Sequence, residues 1–132
     1  MQLQQVFESA EEIAVYKDGS REVYPCGGEK FNGICLRWNA MLANSLVMPA
    51  FGVSLNDITV QAMQRGVWVE FCFSDELVIN ELPFSRLLVE VKPDFSGFNV
   101  VRYTADRGYA GRCFYLDLRG SDMRDVYNYI SQ

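Results

Sequence analysis

Apolar and polar residues alternate along much of the second half of the chain. In Val67 to Phe73, Val67, Val69, Phe71 and Phe73 share one parity, against Trp68, Glu70 and Cys72. In Ser85 to Val91, Leu87, Val89 and Val91 oppose Arg86, Leu88 and Glu90. In Arg112 to Leu118, Phe114, Leu116 and Leu118 oppose Cys113, Tyr115 and Asp117. Phe98 to Tyr103 is strand-like without a clean alternation, and Leu77 to Ile79 predict a short edge strand before Pro83. The turn-rich segments Lys92–Gly97 and Asp106–Gly111 are short enough to join neighbouring antiparallel strands.

Helical spacing governs other stretches. Leu3, Val6, Phe7 and Ala10 mark one face of a short first helix. Phe31, Ile34, Cys35, Trp38, Met41, Leu42 and Ser45 predict a long core helix over Phe31 to Val47, broken by the segment Met48-Pro49-Ala50-Phe51-Gly52. Ser54 to Asp57 carries N-cap chemistry for a short helix using Ile58, Ala62 and Met63, stopped at Gly66. Met123, Val126, Tyr127 and Ile130 predict a C-terminal helix capped at Ser121 or Asp122. Near the start, Asp18-Gly19 predicts a type I′ hairpin that sets Tyr16 opposite Arg21 and Val15 opposite Glu22. Pro25-Cys26-Gly27-Gly28 reads as a linker; Glu29-Lys30-Phe31 follows where a phosphate loop needs Lys-Ser/Thr.

These elements predict a single α+β domain over residues 1–132. An antiparallel sheet of about four to six strands carries the long helix and two or three shorter ones, mainly on one face. With 49% hydrophobic residues, the chain has enough apolar material for one core.

Composition narrows the chemistry. The chain has no histidine, which removes Ser-His-Asp and Cys-His catalysis and histidine metal ligands. The cysteines Cys26, Cys35, Cys72 and Cys113 are too far apart in sequence for a CxxC pair. Neither a metal nor a cofactor is expected. A net charge of −5 argues against a nucleic-acid partner. No apolar run approaches a membrane span, and MQLQQVFESAEE lacks the pattern of a signal peptide, so the expected location is cytoplasmic with reduced thiols. Arg102, Arg107, Arg112, Arg119 and Arg124 are interspersed with acids, and a salt-bridged surface is the expectation for them.

The mixed face of the sheet is where function is sought. Strand parity puts Trp68, Glu70, Leu88, Glu90, Tyr115 and Asp117 there, a mixture of acids and apolar surface. Such a face is either covered, a dimer contact or a ligand groove. The loop from Tyr103 to Arg112 reads as a hairpin loop with polar decoration, with an anion clamp of Arg107 and Arg112 as the alternative. The resulting expectation is a non-catalytic protein acting through protein–protein contact, with a homodimer or another protein as partner. The alternative is a small-molecule-binding or carboxylate-based enzymatic domain using Glu70, Glu90, Arg102 and Arg112.

Overall fold

The computed structural model describes residues 2–49 and 52–132. Ala50 and Phe51, at the expected break after the long helix, lie outside the described residues.

The fold is α+β, as expected, with a larger sheet than the strand pattern predicts. A first helical turn, α1 (Leu3–Val6), continues as a 3₁₀ turn, Phe7–Ser9. The hairpin is β1 (Glu12–Lys17) and β2 (Ser20–Pro25), and the core helix α2 is Glu29–Met41. Two short strands follow, β3 (Leu46–Met48) and β4 (Val53–Ser54), then α3 (Asn56–Ala62). The long hairpin is β5 (Val67–Ile79) with β6 (Leu82–Val91). The chain ends with β7 (Gly97–Tyr103), β8 (Gly111–Arg112), β9 (Phe114–Asp117) and α4 (Arg124–Ile130). Seven strands form one antiparallel sheet in the order β2-β1-β5-β6-β7-β9-β3, and β4 pairs separately with β8.

Local chemistry explains most of these boundaries. Asp18 and Gly19 both take positive φ, and the hairpin register sets Tyr16 opposite Arg21 and Val15 opposite Glu22, as the turn predicts. The segment read as a linker ends as the N-cap of α2 at Gly28. α2 itself stops at Met41, earlier than its apolar stripe suggests. Leu46 to Met48 leave the helix to pair with Asp117, Leu116 and Tyr115 of β9, where β-branched Val47 suits a strand. Leu77 to Ile79 are no separate edge strand. They are the far end of β5, paired with Phe84, Pro83 and Leu82 beyond a register break after Cys72.

The core lies on one face of the sheet. Val69, Phe71, Leu87, Val89, Val100 and Leu116 pack there with Trp38 of α2, Phe7, and Val126 and Ile130 of α4. Trp38 is fully buried, with ring centroids 5.4 Å from Phe7, 4.9 Å from Phe71 and 5.6 Å from Phe98. Each such aromatic contributes about 1.5–3 kcal/mol by burial. Gly33 lets α4 close on α2: a β-carbon there would lie 1.9 Å from Tyr129 Oη. Tyr129 in turn carries Lys30 Nζ at 4.2 Å and the Arg37 guanidinium carbon at 3.9 Å from its ring centre.

α3 does not join this core. Its inward residues are Thr59 and Met63, and Met63 packs with Trp68, Leu88 and Tyr109 on the opposite face. Ile58 and Ala62, expected to be its buried stripe, are exposed. No helix among the described residues is long and apolar enough to cross a membrane.

Candidate functional site

The mixed face is covered by the chain itself. α3 and the loop after Tyr103 lie over it, and together they bury Trp68 and Leu88. This cover is tied down by side chains that would otherwise have capped the helix. Ser54 Oγ donates to the Tyr109 carbonyl at 2.8 Å, and Tyr109 N donates to Asn56 Oδ1 at 2.9 Å. The N-cap residue of α3 is Leu55, which offers no side-chain cap. Gly108 passes directly under Asn56, since a β-carbon there would sit 2.3 Å from Asn56 Oδ1. Pairing of Val53 with Arg112 and of Ser54 with Gly111 completes the strap.

Glu70 is the polar centre beneath it. Its side chain is fully buried, yet both oxygens are engaged. Tyr16 Oη donates to Oε1 at 2.9 Å and Tyr109 Oη donates to Oε2. Arg86 Nη1 lies 3.9 Å from Oε1, its side chain 38% exposed and its guanidinium carbon 4.2 Å from the Tyr103 ring centre. Arg21 Nε extends the chain outward by donating to Tyr16 Oη at 3.1 Å. Burial, and then the Glu70 charge, push the Tyr16 and Tyr109 hydroxyls above the ordinary tyrosine range. Burial opposes the charge on Arg86, but the Glu70 carboxylate, Tyr109 and Cys72 together outweigh it and raise the guanidinium further. Burial also pushes the Cys72 thiol up to about 12, so it is a packed, protonated group at neutral pH.

This geometry makes Glu70 an anchor. A carboxylate with hydroxyl donors on both oxygens and no solvent contact has no open side for a substrate. Register also keeps the three nominated carboxylates from forming one site. Glu90 lies opposite Trp68, diagonal to Glu70, and pairs at 4.0 Å with Lys92. Asp117 sits on β9, opposite Gly97 and Leu46, with β6 and β7 between it and β5. No group of three or more acids and cysteines among the described residues is placed to hold a metal ion.

Beyond the cover, the same face stays open. A groove of about 280 Å³ is lined by Trp68, Glu90, Asn99, Val101 and Tyr115, so three of the nominated residues meet there. Leu88 does not take part, because it lies fully buried under the cover. Of the five arginines in the last third, only Arg124 has an acidic partner within 4.0 Å among the described residues, Asp122 at 3.9 Å. Arg102 is buried and bonded to backbone carbonyls, Arg107 and Arg112 are exposed, and Arg119 Nε donates to the Asn44 carbonyl at 2.7 Å.

The outer side of the cover carries a feature the strand and helix patterns did not single out. Val53, Leu55 and Ile58 are 68%, 59% and 63% exposed. Spacing gave a weak signal for this patch: Ile58 and Thr59 compete for the inward side of a seven-residue helix, and Thr59 with Met63 win it.

Comparison with known proteins adds no relative: no family model, no curated protein and no solved structure matches this chain.

Proposed function

We propose that this protein is a non-catalytic binding module that works through protein–protein contact, and that its contact surface is the outer side of the α3 cover. The observation that carries this reading is the cluster of three large aliphatic side chains, Val53, Leu55 and Ile58, each more than half exposed within six residues. Scattered apolar residues are ordinary on a surface, whereas a cluster on one short helix and its leading strand is a contact surface.

The partner we put forward is a second copy of the chain. The charges flanking the patch are self-complementary. Asp57 stands in the first turn of α3 and Arg65 follows its end, so an antiparallel, two-fold apposition brings each Asp57 towards the other copy's Arg65. The chain's overall charge of −5 opposes self-association on any face, so the apolar patch and its Asp57–Arg65 pairing have to offset it. A stable interface buries about 800 Å² per partner, more than one seven-residue helix face offers, so the expected dissociation constant is in the micromolar range.

Sedimentation or light scattering over a concentration series tests this. Mass should rise towards that of a dimer in the wild type, and Ile58→Asp should remain a monomer throughout while keeping its fold. A wild type that stays monomeric at hundreds of micromolar, or an Ile58→Asp variant that still dimerises, would overturn it.

The groove of about 280 Å³ beside Trp68, Glu90 and Tyr115 favours a second reading, a small ligand held against the open part of the sheet. That reading predicts quenching or a shift of tryptophan emission on ligand addition, independent of Ile58.

A further inference from the structure

Arg102 is a buried guanidinium without a carboxylate. The residue is 6% exposed and lies in β7, at the place where the outer edge of β6 runs beyond its pairing with β7. Its Nη1 donates to the Pro83 carbonyl on that edge at 2.6 Å, and its Nε donates to the Arg112 carbonyl at 2.7 Å. These bonds staple β6 to the strap after Tyr103 and fix the guanidinium plane. They leave the full positive charge in place, because carbonyls carry no countercharge and arginine does not deprotonate in proteins. No acidic side chain of the described residues comes within 4.0 Å of it. Buried charges are ordinarily paired, so this cation lacks its natural complement.

A second cation points at the same place. Gly111 has a φ of +111°, and a β-carbon on it would lie 2.8 Å from Arg102 Nη2 and 4.0 Å from Arg107 Nη1. Two guanidinium groups therefore converge over a residue that has no side chain and is itself partly exposed. Burial, and with it the like charge of Arg107, outweigh the opposing influence of Cys113 and weaken the hold of Arg102 on its proton. Nη2 is the arginine atom turned towards Gly111, with Nε and Nη1 already held by the backbone.

We propose that Arg102 and Arg107, meeting over the bare Cα of Gly111, form a binding site for a phosphate-class oxyanion. Arg102 supplies a donor edge whose orientation is fixed before the ligand arrives, so little ordering cost remains on that side. Arg107 closes from the exposed loop. Two positive charges match a dianionic phosphate, whereas a carboxylate leaves one of them uncompensated. The site is independent of the α3 contact surface, since none of Val53, Leu55 or Ile58 supplies a group to it.

The test is a titration of the intact protein with inorganic phosphate, followed by ¹H–¹⁵N NMR of the arginine side chains and the backbone amides. Sodium chloride of matched ionic strength serves as the reference. Saturable shifts are expected at the Arg102 and Arg107 side-chain resonances and the Gly111 amide. R107Q, on an exposed residue, should weaken binding about tenfold or more, and acetate should bind about tenfold more weakly than phosphate. G111A should remove binding by occupying the point of convergence; its strained backbone leaves R107Q as the deciding variant. Shifts that stay flat across the millimolar range, equal affinity in R107Q, or acetate binding as well as phosphate would each overturn the assignment.

Discussion

Replacing Tyr109 by Phe isolates the bond that seats the cover on the sheet. The hydroxyl of Tyr109 donates to Glu70 Oε2, which has no other protein donor among the described residues. The ring keeps its packing against Tyr103, at a centroid distance of 4.9 Å, so the change is confined to one oxygen. A buried hydrogen bond to a carboxylate contributes roughly 1.5–3 kcal/mol, and an orphaned carboxylate oxygen places the loss towards the top of that range, about 2–3 kcal/mol. In a chain of 132 residues that lowers Tm by about 6–15 °C. Tyr16→Phe is the matched control. Its hydroxyl reaches Oε1 at 2.9 Å from a half-buried position, and Oε1 keeps Arg86 at 3.9 Å, so the expected loss is below about 1 kcal/mol. Urea unfolding of both variants, followed by far-UV circular dichroism, gives the two values. A Tyr109→Phe cost below about 0.5 kcal/mol, or one smaller than that of Tyr16→Phe, would refute the assignment of Glu70 as the anchor of the cover.

Two further outcomes follow from the same packing. The Tyr16 and Tyr109 hydroxyls have folded pKa values above the unfolded 10.0, so their contribution to stability is complete below pH 10 and is lost as pH rises through the folded values; urea midpoints at increasing pH should fall above about pH 10, and Tyr109→Phe should flatten that fall. Trp38 Nε1 is buried without an acceptor among the described residues, so Trp38→Phe trades lost volume against the removal of an unsatisfied donor and should cost far less than the roughly 3–5 kcal/mol expected of Trp38→Ala. A Trp38→Phe loss equal to that of the alanine variant in equilibrium denaturation would show that the indole nitrogen carries no penalty.

The parts of the fold written in local chemistry were legible. Asp18-Gly19 dictates its hairpin register because only a type I′ turn uses two positive φ angles there. Alternation assigns Val69, Phe71, Val89 and Leu116 to the core, and they lie there. What stayed hidden depends on long-range pairing. Leu46 and Val47 read as the tail of a helix, and Met48 as the start of the break after it, because Leu46 and Val47 are apolar in either state. Only β9, almost seventy residues away, makes them a strand. Parity likewise puts Glu70, Glu90 and Asp117 on one face, but strand order decides their distance, and β6 and β7 stand between Glu70 and Asp117. Tyr109, in a loop that reads as polar decoration, is the residue whose burial turns an open sheet face into an interior one.

That burial relocates the chemistry of this protein. An acid among tyrosines on a mixed sheet face suggests a site, yet Glu70, Tyr16 and Tyr109 satisfy one another and hold a strap in place. Ser54 of β4 and Asn56 of α3 hold the same strap, and Arg102 holds it from β7. A segment fixed by so many polar side chains on its inner side is a scaffold for whatever its outer side presents. On that outer side stand Val53, Leu55 and Ile58, which no part of the described chain covers, and the strap itself carries Arg107, which no acid among the described residues neutralises. Exposed apolar surface and the buried, uncompensated charge of Arg102 beside Arg107 both carry a cost in an isolated monomer, and both are relieved by binding. The rigid inner network and the unsatisfied outer groups are thus two sides of one element, and binding is to be sought on the strap and α3 more than in the face beneath them.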